Sequence, residues 1–253
     1  MPSDRQWAQA SYPTAFSLCD RALQIDPRNV PALAISAYLI IIPVILAQSD
    51  GPIADTRRAD ELASRALAID PNDDFAHVVK AWVLMAQNRH EEAIVEAEHS
   101  LALNPSDVVA YMAIGIANNF LCRPELVFEA IDKAIRLSPR DPALWGFYEV
   151  KAEAYFTMRQ DANTIEWTHR SVATAPTGYR EPYAMLMLAS ASALSGQQAE
   201  AGEAIKAYLA SSEAKSRTIS QFQTQQLAMA NNPRWLAYNE RFADGLRKAG
   251  LPE

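Results

Sequence analysis

Three prolines, Pro71, Pro105 and Pro139, follow one another at intervals of 34 residues. Each closes a segment of the same kind: Ala59–Asp70, Ala93–Asn104 and Phe128–Ser138. A chain that repeats at a fixed period of roughly 20–50 residues builds each period as one unit, whose apolar face is buried only by its neighbours. Within a period the apolar residues recur at three- and four-residue steps, as in Val78, Ala81, Trp82 and Met85, or Met112, Gly115, Ile116, Asn119 and Phe120. That is the helical period rather than that of a strand. Asp26, Asp70 and Asn104 precede closing prolines, and a residue in that place is pushed out of the helical region. Helix, stop, helix is therefore the expected grammar. Small residues at Ala81, Ala93, Gly115 and Ala134 let paired helices approach closely.

Taken in order, Tyr12–Asp26 reads as the second helix of a pair whose first helix is missing, as in a segment that begins in mid-repeat. Its uncovered apolar side is expected to self-associate, or to be covered in part by Trp7 and the Ile40–Leu46 run. The second repeat opens at Val30 and closes at Pro71. It exceeds the period by ten residues, and the excess is assigned to a loop near Val44–Ile53, where Gln48–Pro52 supplies turn chemistry. Asp74–Pro105, Val108–Pro139, Trp145–Pro176 and Pro182–Ser212 follow as repeats. Thr218–Ala230 and Pro233–Ala249 are amphipathic but outside the register, and Gly250 is a suitable C-terminal cap. They are expected to cap the end of the stack. The chain thus reads as one domain, 1–253, with about five and a half repeats over 12–213 and capping helices over 214–253.

Composition narrows the function. A formal charge of −7 without clustered Lys and Arg argues against a nucleic-acid surface. Cys19 and Cys122 form no C-x-x-C pair and read as buried thiols of a reduced compartment, with no disulfide. The start, Met1–Trp7, lacks the build of a signal peptide, so a cytoplasmic location is expected. Ala32–Ala47 is nearly all apolar but includes Pro43 and Ser36. It is shorter than the roughly 20 residues of a membrane span and is read as a core helix. No phosphate loop, dinucleotide fingerprint, H-E-x-x-H or G-x-S-x-G occurs, so no enzyme activity and no cofactor are expected. His77, His90, His99 and His169 show no i, i+4 pairing, and no metal is expected. Glu91, Glu92, Glu96 and Glu98 read as a solvated helix face.

Over Tyr12–Ser212 this pattern resembles the tetratricopeptide family. More narrowly, Cys19–Asn29, the run Ala117–Leu121 and the ending Gly245–Glu253 are similar to the C-terminal repeat regions of alphaproteobacterial class III adenylate cyclase-like proteins. The first resemblance implies a right-handed α-solenoid of antiparallel helix pairs. Its concave groove, by the family's groove positions, falls on Val78, Trp82, Met85, Met112, Ile116, Asn119, Glu149, Glu153 and Leu186. Chaperone-binding members hold a carboxylate with Lys and Asn where this chain has Val78 and Trp82, so that activity is not carried over. Trp82, Met85 and Ile116 are equally readable as packing between helices. The resemblance implies a non-catalytic scaffold for a protein or peptide, and the composition of the groove points to a partner with apolar anchors and basic residues, Trp82 serving as an anchor and Glu149 and an exposed Glu153 pairing with the basic residues. The alternative is a regulatory module that controls an upstream cyclase or DNA-binding effector.

Overall fold

A computed structural model describes residues 4–46, 48–176, 182–211, 214–230 and 232–253, with side chains from residue 12 onward. The described residues form thirteen helices and no strand. They are α1 (Asp4–Ile25), α2 (Val30–Ile45), α3 (Pro52–Ile69), α4 (Asp74–Ala86), α5 (His90–Leu103), α6 (Val108–Phe120) and α7 (Pro124–Leu137). The others are α8 (Leu144–Thr157), α9 (Asp161–Thr174), α10 (Pro182–Leu194), α11 (Gln198–Ala210), α12 (Ile219–Leu227) and α13 (Pro233–Ala249). From α2 to α11 they alternate as first and second helices of five pairs. The fold is an all-α solenoid, as the period implies.

Two local devices write this alternation. Between pairs, a side-chain carboxylate or amide turns the chain twice. Asp26, Asp70 and Asn104 accept from the backbone N–H groups of Arg28, Asn72 and Ser106. Three residues later, Asn29, Asp73 and Asp107 cap the next helix by accepting from Ala32, Ala76 and Ala110. Such short oxygen-bearing side chains satisfy amide donors that a helix start leaves orphaned. Within four of the pairs, the turn is made by a residue in the left-handed region: Asn88 (φ 62°), Cys122 (φ 52°), Arg159 (φ 59°) and Gly196 (φ 80°). The next amide reaches back to close the preceding helix, as Arg89 to Leu84, Arg123 to Asn118, Gln160 to Tyr155 and Gln197 to Ser192. This is the Schellman stop, which asks for a positive φ and is cheapest at glycine.

Where the repeat is longer, the structure corrects the sequence reading. The ten extra residues of the second repeat are not a loop. Measured against the third repeat, three lengthen α2, four lengthen α3 and only three enlarge the connection. The first helix also differs from expectation, because residues 4–11 continue α1 with Pro13 inside it. α1 packs on α2 and buries Cys19, with Phe16 and Leu23 half-buried, while Leu18 and Ile25 remain 58% and 86% exposed. The side chain of Trp7 lies outside the described residues.

The chain forms two compact units, Met1–Ala117 and Asn118–Glu253, the division falling inside α6. The first is built on Ile41, Val78, Trp82, Val83 and Met85, with Ala59, Ala63, Ala81, Ala93 and Ala97 where helices cross. The second is richer in aromatics: Phe156, Tyr208, Phe222, Trp235, Tyr238 and Phe242, with Leu246. In each unit a lysine clips one pair to the next. Lys80 of α4 bonds Asp60 and Ser64 of α3. Lys151 of α8 bonds Asp132 of α7 at 2.7 Å and lies 3.9 Å from the centroid of the Trp167 ring, so its buried charge meets both an anion and an aromatic face.

The left-handed positions make a direct test. A side chain there costs about 1–2 kcal/mol in an extended left-handed helix, offset in part by the greater unfolded-state freedom of glycine. Arg159→Gly is therefore expected to stabilise the protein by about 0.5–1 kcal/mol in urea unfolding. Gly196→Ala should destabilise it by a similar amount. A Cβ at Gly196 would meet nothing within 4 Å, so any cost there is conformational rather than steric.

Candidate functional site

The groove positions implied by the family resemblance all lie on first helices of pairs, and each unit carries its own set. In the first unit Val78, Trp82 and Met85 of α4 are 0%, 5% and 4% exposed. They belong to its core, and the indole Nε1 of Trp82 is buried with no hydrogen-bond partner among the described residues. As an accessible anchor Trp82 is thus corrected: its ring holds the unit together. Met112 and Ile116 of α6 are half-buried against the same core and keep part of their surface outward.

In the second unit the corresponding face is already occupied. α13 presents Trp235, Tyr238, Asn239, Phe242, Leu246 and Ala249 on one side, all buried, the three- and four-residue spacing of a helix that inserts along a groove. Its start is tied down first. Asn232 accepts from the Trp235 amide and donates its own side-chain N–H to the Phe120 carbonyl at the end of α6. Trp235 then sets its ring edge-on to Phe120, with centroids 5.1 Å apart, and donates Nε1–H to the Gln226 carbonyl. Tyr238 and Phe242 pack on Phe156 of α8 at 5.3 and 5.1 Å. Arg241 gives a two-oxygen contact, 2.6 Å to each, to Asp161 in the first turn of α9, and its guanidinium stands over Phe156.

Further along, α13 and α10 touch backbone to backbone. A Cβ on Gly245 would sit 2.1 Å from Ser190 Oγ and 2.7 Å from the Ser190 carbonyl oxygen. Ser190 in turn donates to the Phe242 carbonyl. Only glycine admits this crossing.

Glu153 of α8 lies under that helix. The family positions expected an exposed carboxylate; the structure surrounds it with donors from three helices. Asn119 Nδ2 of α6 donates at 2.9 Å, the Tyr183 hydroxyl of α10 at 2.8 Å and the Tyr238 hydroxyl of α13 at 3.3 Å. Burial pushes its pKa up to about 7, against the opposing pull of the hydrogen bonds from Tyr183, Tyr238 and Asn119. Burial, with the nearby Glu153 charge, also raises both tyrosines well above their ordinary value. The neighbouring Cys122 thiol is pushed up to about 11, by burial first and by Glu153 second. Of the other expected positions in this unit, Asn119 and Leu186 are buried and Glu149 is half-buried.

The signal for this arrangement was in the sequence as the aromatic stripe of residues 235–246, heavier than a simple end cap needs. What it covers was not. A second cluster also escaped the spacing rules: His77 of α4 lies beside Glu96 and His99 of α5. The sought i, i+4 histidine pair does not occur, but an i, i+3 pair of Glu96 and His99 faces a histidine from the partner helix.

Glu153 gives the docked helix a pH dependence whose sign is fixed. Below about pH 4.5 the carboxyl is protonated whether or not the chain is folded. As pH rises toward 7, the unfolded chain releases the proton and the folded one keeps it, so stability falls across this window and levels off above it. The full effect is at most of the order of 3 kcal/mol. Glu153→Gln is expected to flatten this stability profile in denaturant titrations from pH 4.5 to 8. Glu153→Lys should cost about 3–5 kcal/mol by leaving a buried charge without a counter-ion. Gly245→Ala should cost about 1–3 kcal/mol through overpacking, seen as a lower urea midpoint.

No family model and no curated protein matches this chain. Among solved structures it is similar to the type IV pilus biogenesis factor PilW, with TM-score 0.64, 18% identity, and coverage of 83% of this chain and 94% of that one. It is similar to a tetratricopeptide repeat protein from Parabacteroides merdae, with TM-score 0.58, 16% identity, and coverage of 96% and 80%. It also matches the Cut9–Hcn1 hetero-tetramer of the APC/C, with TM-score 0.68 and 13% identity, over 94% of this chain and 46% of that one. At these identities the likeness is one of fold, and the fold is that of tetratricopeptide repeat proteins.

Proposed function

We propose that this protein is a non-catalytic scaffold that binds a protein partner on the first-helix face of its repeats, in the cytoplasm. The observation that supports the reading is α13. The face that the family uses for recognition already holds an amphipathic helix in the second unit, seated by aromatic anchors and a paired arginine. Helix-in-groove binding works in this way. α13 has apolar anchors together with Arg234, Arg241, Arg247 and Lys248, which is the ligand chemistry proposed from the sequence, here supplied by the chain itself. In the first unit the same face carries Met112 and Ile116, both half-buried, as the adaptable apolar contact, and a partner helix of the same chemistry docks there.

A non-catalytic role also suits the groove chemistry. Cys122, the thiol nearest the Glu153 cluster, is held in its protonated and unreactive form. Both cysteines are free and buried, as in a reducing compartment. Among the described residues no helix is long and apolar enough to cross a membrane.

Site-specific photo-crosslinking in cells tests the docking face. A crosslinking amino acid at position 112 or 116 is expected to trap a discrete protein adduct, whereas one at Val95, 49% exposed on α5, traps none. Adducts at Val95 and none at 112 or 116 would move the interface to the other face. Multiple-turnover chemistry by the purified chain would end the non-catalytic reading.

A further inference from the structure

The first unit gathers three metal-ligating side chains that take no part in the proposed docking. His77 of α4, Glu96 and His99 of α5 each offer one ligand atom, and these atoms lie within 4.8 Å of one another. Residues three apart share a helix face, so Glu96 and His99 point together, and the packing of α4 on α5 sets His77 against them. The His77 and His99 rings meet edge-on, with centroids 5.3 Å apart. His77 Nδ1 stands 2.7 Å from Glu96 Oε2, and His77 Nε2 stands 3.0 Å from the Pro71 carbonyl oxygen.

His77 stands between two acceptors, the Pro71 carbonyl at Nε2 and the Glu96 carboxylate at Nδ1. A ring that gives its Nε2–H to the carbonyl turns the Nδ1 lone pair toward Glu96 and His99, where one cation can take all three ligand atoms. The second imidazole, His99, is what a simple His–Glu ion pair has no use for. Metal-bound histidines, moreover, commonly donate their other N–H to a backbone carbonyl, which fixes the ring in place. Two imidazoles and one carboxylate suit Zn²⁺, whereas Ca²⁺ and Mg²⁺ ask for oxygen ligands alone. The His77 and Glu96 side chains are 13% and 24% exposed and His99 is open to solvent, so the cluster is sheltered on one side and reachable on the other.

We infer that His77 Nδ1, Glu96 and His99 bind one Zn²⁺ ion, with the fourth position left to water. The ion clamps α4 to α5 on the first unit.

The test uses the full, tag-free chain, stripped with a chelator and titrated with Zn²⁺ alone by calorimetry and with Co²⁺ by visible absorption. One equivalent of Zn²⁺ is expected to bind, and Co²⁺ should give the ligand-field bands of a four-coordinate ion with nitrogen ligands. His99→Ala and Glu96→Gln should each weaken Zn²⁺ binding by at least about tenfold, the lower end of what losing only an outer partner of a metal ligand costs. His169→Ala should leave it unchanged, since His169 lies in the other unit, bonded to Glu200. His99 is exposed, so its variant should unfold at the same temperature as the metal-free parent. No stoichiometric uptake of either ion would overturn the inference and leave an ion pair. Uptake that survives both His99→Ala and Glu96→Gln undiminished would overturn it as well, by placing the metal elsewhere.

Discussion

A stacked helix pair buries one face inside itself and leaves the other for the next pair, so a finite array always ends on an uncovered apolar surface. In the second unit this constraint is met by a helix that belongs to no repeat. α13 does more than close the end. It turns back over the first helices α8 and α10, where Tyr238 meets Phe156 and Tyr183, and ties itself to the end of α6 through Asn232 and Trp235. The cover thus lies on the first-helix face, and the aromatic richness of this unit follows from it. A flat groove between helices takes large planar side chains with few rotatable bonds more readily than branched aliphatic ones.

The polar contacts under α13 fix its register. An apolar stripe can slide by a turn at modest cost, but Glu153 is satisfied only when the Tyr238 hydroxyl lies beside that of Tyr183. Arg241 must likewise meet Asp161, and Gly245 must fall on Ser190. Each of these is local and none tolerates a shift, so together they select one seating of the helix from several that burial alone would allow. The expense of a buried carboxylate is reasonable in that light.

Much of the fold was legible because it is written locally. Asp or Asn before proline, followed by a capping Asp or Asn, marks the joints between pairs, and small residues mark the crossings. The extra length of α2 and α3 was misread because Gln48–Pro52 carries genuine turn signals, which show that the chain turns but not how far the helices run beforehand. The site was less legible. Periodicity identifies the apolar side of α13 without saying which surface it covers, and Glu153 looks like any solvated glutamate until a tyrosine 85 residues away is laid over it. His77, Glu96 and His99 straddle a turn, so no spacing rule on a single helix brings them together.

The lengthened second repeat carries a further consequence. Its additions sit at the free ends of α2 and α3, three residues on one and four on the other. A helix advances 1.5 Å and turns about 100° per residue, so the two tips rise by about 4.5 and 6 Å and each rotates to within about 60° of a complete turn. The chain ends therefore still look at each other across the pair, and a six-residue link, 46–51, is enough to join them. Adding two residues to one helix would rotate its exit to the far side and demand a much longer link. A hairpin of this kind grows by whole turns, as a threaded rod is lengthened by whole pitches, and the size of an insertion in such an array is quantised by the helix before any function selects it.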